Sequence, residues 1–227
     1  MNPLLVAHGT RKADGVAMIA DLAERVGGLL GQRVHTAFVD VLGPTPADVL
    51  SELPDGPAVV VPAFLASGHH VRVDIPAFVA ASGHPDVTVT EALGPSPNVV
   101  RVLTDRLVQS GWRHSDSVIL AAAGTSDPRA RGDLRATAAL LSAAIGGRAE
   151  LAYAATGEPS VSDAVAAMRA QGARRIVVAS YLLADGLFQD RLRHSGADAV
   201  TAPLGTHPGV VRLIASRFRR ALLPVAA

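Results

Sequence analysis

Four side chains able to ligate metals or move protons stand where short apolar runs give way to turns. They are His8 in Leu5-Val6-Ala7-His8-Gly9-Thr10, Asp40 in Ala37-Phe38-Val39-Asp40-Val41, and the neighbours His69 and His70 in Leu65-Ala66-Ser67-Gly68-His69-His70-Val71. Neutral imidazole binds divalent first-row metals and accepts protons near pH 7, and a carboxylate beside two imidazoles completes a His–His–carboxylate set. Each residue also has an ordinary structural use. A histidine after a strand can bond a loop carbonyl, and Asp40, shortly before Gly43-Pro44, suits a turn. The chemical reading therefore requires a fold that brings three separate segments together.

Composition narrows the chemistry. The chain has 227 residues, 49% hydrophobic and only 18% charged, which is enough apolar material for a large core. Its 21 basic and 20 acidic residues nearly cancel, so the electrostatic footprint of a nucleic-acid-binding protein is missing and no nucleic-acid partner is expected. With no cysteine, a metal would have to be held by His, Asp, Glu or backbone oxygen. The first residues, Met1 to His8, lack a basic n-region, and no run approaches the roughly 18 apolar residues of a membrane span. A cytoplasmic protein without membrane attachment is the expectation. There is no G-x-x-x-x-G-K-[ST], no G-x-G-x-x-G after the first strand, no G-x-S-x-G and no H-E-x-x-H. Nucleotide-dependent and serine-hydrolase chemistry thereby lose support.

The elements that would position the candidates alternate regularly. Strands are predicted near 3–8, 34–41, 58–65, 87–93, 117–124, 149–156, 175–182 and 199–204, and helices near 14–30, 46–53, 75–82, 97–110, 130–145, 160–171, 188–195 and 208–222. Alternation of this kind implies an α/β fold with parallel sheets. The pattern is also duplicated. His8-Gly9-Thr10 aligns with Ala123-Gly124-Thr125 at an offset of 115, which also pairs Pro44 with Pro159, Thr45 with Ser160 and Asp48 with Asp163. Phe64 to Gly68 aligns with Leu182 to Gly186 at 118, and Leu93 to Pro97 with Leu204 to Pro208 at 111. We therefore expect two similar (βα)4 lobes, each with a four-stranded parallel sheet, spanning 1–111 and 112–227, with the active-site cleft between them.

The duplication provides an internal control, since folding residues should persist in both copies while chemical ones need not. His8 becomes Ala123, Asp40 becomes Ala155, and His69-His70 becomes Leu187-Phe188, although the surrounding glycines, prolines and apolar runs are largely kept. In open parallel sheets ligands bind outside the carboxyl ends of the strands, where His8, Asp40 and His70 would lie together. Thr10, Arg11 and Lys12 at the start of the first helix, and Arg72, suit an anionic ligand. Glu158, at a strand end of the second lobe, could face the cleft. His84 and His207 look like turn residues, and His35 lies at the far end of its strand.

Three segments together, His8-Gly9-Thr10-Arg11, Ala37-Phe38-Val39-Asp40-Val41 with Pro44-Thr45, and Pro62-Ala63-Phe64-Leu65-Ala66-Ser67-Gly68-His69-His70-Val71-Arg72-Val73-Asp74-Ile75-Pro76, resemble the sirohydrochlorin chelatases, the class II chelatases that insert cobalt or iron. The resemblance implies a chelatase-like fold with its site in the N-terminal half. It further implies an ATP-independent lyase that inserts Fe²⁺, in siroheme biosynthesis, or Co²⁺, in cobalamin biosynthesis, with Ni²⁺ a further candidate. By the same resemblance His8 and His70 handle the metal, and Asp40 is the assisting acid where the family usually has Glu. His69 occupies a variable position. Arg11, Lys12 and Arg72 become anchors for tetrapyrrole carboxylates, and no cofactor beyond the divalent metal substrate is implied. The duplication supplies two lobes within one chain, so a monomer is expected. The alternative is a non-catalytic tetrapyrrole or metal carrier; a periplasmic-type binding protein is disfavoured by the lack of an export signal.

Overall fold

A computed structural model describes residues 1–10 and 12–222. It contains two parallel four-stranded sheets. Strands β1 (Asn2–Ala7), β2 (His35–Phe38), β3 (Ala58–Pro62) and β4 (Val87–Val89) lie in the order β2-β1-β3-β4. Strands β5 (Ser117–Gly124), β6 (Ala149–Thr156), β7 (Ile176–Tyr181) and β8 (Ala199–Val200) repeat it as β6-β5-β7-β8. The expected α/β repeat is present, with the same strand order in both sheets.

The central strands are apolar on both faces because helices cover both. Leu4, Val6, Val60 and Ala37 pack with Leu50 and Ile75 of α2 (Pro46–Glu52) and α3 (Ile75–Ser82). Leu5, Val59 and Val61 are equally buried and, by strand alternation, point to the other side. In the second sheet Ile119, Ala121 and Val178 pack with Val161, Ala164 and Val165 of α6 (Val161–Ala170), and with Leu192 of α7 (Leu187–Arg193). The remaining helices are α1 (Ala13–Leu30), α4 (Pro97–Gln109), α5 (Pro128–Ile145) and α8 (Pro208–Arg220).

The repeat extends to helix starts. Thr45 accepts the Asp48 N–H, while the Asp48 carboxylate accepts from the Thr45 N–H (2.8 Å) and hydroxyl (2.7 Å). At α6, Ser160 accepts the Asp163 N–H and donates its hydroxyl to the Asp163 carboxylate (2.6 Å). The hydroxyl of Thr45, followed by its N–H, holds the Asp48 carboxyl below its ordinary value. A carboxyl depressed in the folded state contributes stability above its unfolded value, and that contribution disappears as pH falls through the folded value. Thr45→Ala should therefore flatten the acid limb of a stability-against-pH curve, read by urea midpoints from pH 7 down to 3.

Four strands end earlier than the apolar runs suggest. Beyond Phe38 the Val39 and Asp40 N–H groups still reach the carbonyls of Ala7 and His8 (3.0 Å each), but Val41 then takes φ of 69° and turns the chain away. Strand β3 stops at Pro62, while β4 and β8 are short edge strands.

The compact units do not follow the sequence repeat. One comprises residues 1–93 with 208–227, the other residues 94–207. Helix α8 packs on α1 and β3, and α4 packs on α5 and β7. Each apolar face explains its docking. Val210, Val211, Leu213, Ile214 and Phe218 are buried on α8, whose Arg217 donates to Glu91 and to the Ala92 carbonyl (3.1 Å each). On α4, Val99, Val100, Val102, Leu103 and Leu107 are buried, and Arg106 donates to the Leu204 carbonyl at 3.2 Å. The 111/112 division thus describes the order of elements, whereas packing assigns each sheet's last helix from the other half of the chain. Phe218→Ala removes a fully buried ring and should cost about 3–5 kcal/mol, measured by urea unfolding. Among the described residues, no helix is long and apolar enough to cross a membrane.

Candidate active site

The site begins at the carboxyl end of β1. Gly9, directly after His8, has φ of 99°, and a Cβ there would lie 2.1 Å from the Asp40 carbonyl oxygen. The ends of β1 and β2 can approach this closely only because the residue is glycine. The Asp40 N–H donates to the His8 carbonyl at 3.0 Å, so the two expected site residues are neighbours through the backbone. Gly124 repeats the arrangement, with φ of 103° and a would-be Cβ 2.0 Å from the Thr156 carbonyl oxygen. The close approach therefore belongs to the scaffold, while the histidine and carboxylate belong to the first sheet alone.

The third segment differs from the expected loop. After β3, the Ala63 N–H donates to the Val6 carbonyl (2.7 Å) and the Phe64 carbonyl accepts the Leu93 N–H (2.8 Å), pinning the chain over the sheet end. His69 is already helical, and His70–Asp74 form a π-helical turn fused to α3, with the Ile75 N–H bonded to the His70 carbonyl. The two histidines thus stand on the first turn of a helical segment, not in a flexible turn. Pro76 follows directly within the same helical run, where it cannot donate a backbone N–H to the turn before it.

These elements bring His8 and His70 together. Their ring centroids are 4.8 Å apart and nearly perpendicular (88°), and Phe64 lies beside both, at 6.5 Å from His8 and 6.1 Å from His70. The Nδ1 of His70 is 2.6 Å from Asp74 Oδ2, and the Nδ1 of His8 is 3.2 Å from the Gly9 carbonyl oxygen. Both partners are acceptors, so each Nδ1 donates, and in the neutral ring the lone pair is then on Nε2. Ligand nitrogens lie about 2.0–2.1 Å from a divalent ion such as zinc, so rings this close can share one ion. His70 and Asp74 are about one-third exposed (34% and 30%), and His8 is exposed. Ligand can therefore reach the pair.

The other candidates are placed as follows. The Asp40 carboxylate is exposed and accepts the N–H of Val41 at 2.7 Å, turning back on its own loop. His69 is exposed, with its Nε2 3.4 Å from Asp74 Oδ1. Lys12 is the N-cap of α1, its N–H donating to Thr10 Oγ1 at 3.2 Å, and Arg72 donates from Nε to the Ser67 carbonyl at 3.0 Å. Arg11 lies outside the described residues. Among the described residues, no group of three or more His, Cys, Asp or Glu is arranged to hold a metal ion. His8 and His70 are a pair rather than a complete cage. His84 and His207 stand in the connections that precede β4 and α8, and His35, whose burial and neighbour Arg33 push its pKa down, stands at the amino end of β2.

The CbiX family model matches residues 2–110 and again residues 117–221. The chain belongs to the CbiX family. No curated protein sequence matches it significantly. Among solved structures, SirB from Bacillus subtilis with Fe³⁺ superposes with a TM-score of 0.84 at 19% identity, covering 97% of this chain and 96% of that one. SirB from Bacillus subtilis subspecies spizizenii, a sirohydrochlorin chelatase in complex with cobalt, gives 0.79 at 21% identity, covering 97% and 95%. CbiX, the terminal enzyme of siroheme biosynthesis in denitrifying bacteria, gives 0.73 at 23% identity, covering 98% and 100%. At these identities the likeness is one of fold.

Two residues beside the histidines, Asp74 and Phe64, carried no assigned role in the sequence. The i, i+4 spacing of His70 and Asp74 was the available signal, because such residues share a helix face. The turn that creates this face has no marker of its own in Val71-Arg72-Val73.

Proposed function

We propose that this CbiX-family protein is a sirohydrochlorin chelatase, an ATP-independent lyase that inserts Fe²⁺ or Co²⁺ into the tetrapyrrole. The observation that carries the proposal is the His8–His70 pair, with both Nδ1 atoms engaged and both Nε2 lone pairs available. Insertion requires removal of two pyrrole N–H protons and delivery of a partly dehydrated cation to the ring centre. Imidazole nitrogens can hold such a cation and accept such protons. Two protein ligands leave most of the coordination sphere to water or to the incoming pyrrole nitrogens, as suits an ion that must be released. Asp40 is assigned as the assisting acid, which requires its carboxylate to leave the Val41 N–H. Lys12, Arg11 and Arg72 are assigned to the substrate's carboxylates, and Phe64 offers an apolar edge to the macrocycle. The protein acts in the cytoplasm as a monomer, with no cofactor besides its metal substrate.

Anaerobic incubation with sirohydrochlorin and Fe²⁺, Co²⁺ or Ni²⁺ in turn should change the visible spectrum faster than the same mixture without protein, for Fe²⁺ or Co²⁺ at least. No acceleration with any ion would sink the proposal. One observation favours a second reading, a carrier that binds metal or tetrapyrrole without catalysing insertion. The Asp40 carboxylate turns back on its own loop, with Oδ1 accepting the Val41 N–H, and no hydrogen bond among the described residues directs it at either histidine. Tight porphyrinoid binding without faster metallation would select the carrier.

A further inference from the structure

We infer that Asp74 is the positioning residue for His70, holding its ring with the proton on Nδ1 and the lone pair of Nε2 presented to the metal. The inference deepens the chelatase proposal and rests on it for the identity of the metal's destination, but not for the geometry. Asp74 Oδ2 lies 2.6 Å from His70 Nδ1, and an ionised carboxylate is acceptor-only, so the shared proton sits on the ring. Hydrogen bonds from the far nitrogen of a metal-binding histidine commonly fix both tautomer and ring orientation.

Local helix chemistry does not account for the carboxylate. Asp74 lies inside the continuous helical run from His69 to Ser82, so there is no helix start at this point for its side chain to cap. Here it makes no side-chain capping bond and has helical φ and ψ (−70° and −45°). Both oxygens are directed at imidazoles instead, Oδ2 at His70 and Oδ1 towards His69 at 3.4 Å. His70 and Asp74 open and close the single π-helical turn, and such turns occur frequently at functional sites.

The duplicated half provides the control. At the offset of 118 that aligns this region, His70 corresponds to Phe188 and Asp74 to Leu192. The same i, i+4 pair is thus apolar in the second lobe, where α7 forms over Leu187–Arg193 and Leu192 is fully buried. Histidine and aspartate are both absent there, and the segment is a plain α-helix, so a helix can start at this point of the fold without either residue.

The test uses the full chain labelled with ¹⁵N in its histidines. The wild type should show His70 as the Nδ1–H tautomer in long-range ¹H–¹⁵N spectra, assigned by comparison with His70→Ala. Asp74→Leu, which installs the second lobe's residue, should lose that signature and bind Co²⁺ about 10- to 100-fold more weakly by calorimetry. Asp74→Glu should restore part of both. Because Asp74 acts through His70, adding Asp74→Leu to His70→Ala should weaken Co²⁺ binding no further. An unchanged tautomer and unchanged Co²⁺ affinity in Asp74→Leu, or equal losses with and without His70, would overturn the inference. Should Asp74→Leu not fold, Asp74→Asn, which keeps an acceptor oxygen but removes the charge, is read by the same two measurements. Neither involves sirohydrochlorin, so failure of the chelatase proposal would appear separately, as a wild type that binds Co²⁺ and does not metallate the tetrapyrrole.

Discussion

His70→Ala is expected to lower the rate of metal insertion into sirohydrochlorin by about 10²- to 10⁴-fold, the range over which a positioned acid–base group contributes to a proton-transfer step. The imidazole lost is one of two whose rings stand 4.8 Å apart, and each is held through Nδ1. His8→Ala should cost a similar factor. The double variant should lose much less than the product of the two factors, because two groups that act on one ion fail as a unit. Initial rates from the visible spectrum, under anaerobic conditions, measure all three. Either single variant retaining the wild-type rate would exclude the shared-ion mechanism. Phe188, at the matching position of the second lobe, lies in α7, so a helix forms at this point of the fold without a histidine, and urea unfolding of His70→Ala should match the wild type.

Gly9→Ala should destabilise the fold by about 3 kcal/mol or more, combining the strain of a left-handed backbone with a collision against a neighbouring carbonyl. The new Cβ would lie 2.1 Å from the Asp40 oxygen, and the backbone cannot yield without moving the ends of β1 and β2. Gly124→Ala meets the Thr156 oxygen at 2.0 Å and should cost a comparable amount in urea denaturation. The two variants should part in Co²⁺ binding. Gly9→Ala displaces His8 and weakens binding in the folded fraction, whereas Gly124→Ala sits beside Ala123 and should leave affinity within a few-fold of wild type. Equal losses of affinity from both would show that His8 is not held by the β1 end as described.

Much of this architecture was legible because the two halves solve the same folding problem. Buried parallel strands read as continuous apolar runs, and Thr45 with Asp48 and Ser160 with Asp163 mark matching helix starts. The differences between halves pointed to His8 and His70, which the structure brings together. Three features were less accessible. Strand ends depend on where the chain turns, and Val41, an apolar β-branched residue, gives no warning of its φ of 69°. The π-helical turn at His70–Asp74 depends on backbone bonds such as that from the Ile75 N–H to the His70 carbonyl, which the side chains of Val71, Arg72 and Val73 do not advertise. The apolar faces of α4 and α8 announced that both helices are buried, but a hydrophobic stripe does not name the sheet that receives it.

That last point bears on how such a chain can be divided or built. Residues 1–111 would carry the first four strands with α4, a helix whose buried valines and leucines are packed on α5 and β7. A half-length polypeptide of this kind would have to fold its last helix back onto its own sheet, or trade it with a second copy as in domain swapping. Placing both copies in one chain turns that trade into an intramolecular event at an effective concentration on the order of millimolar, independent of how much protein is present. The duplication thereby relieves folding of any dependence on finding a partner, and it frees the second copy to give up its histidines while still supplying a helix to the first.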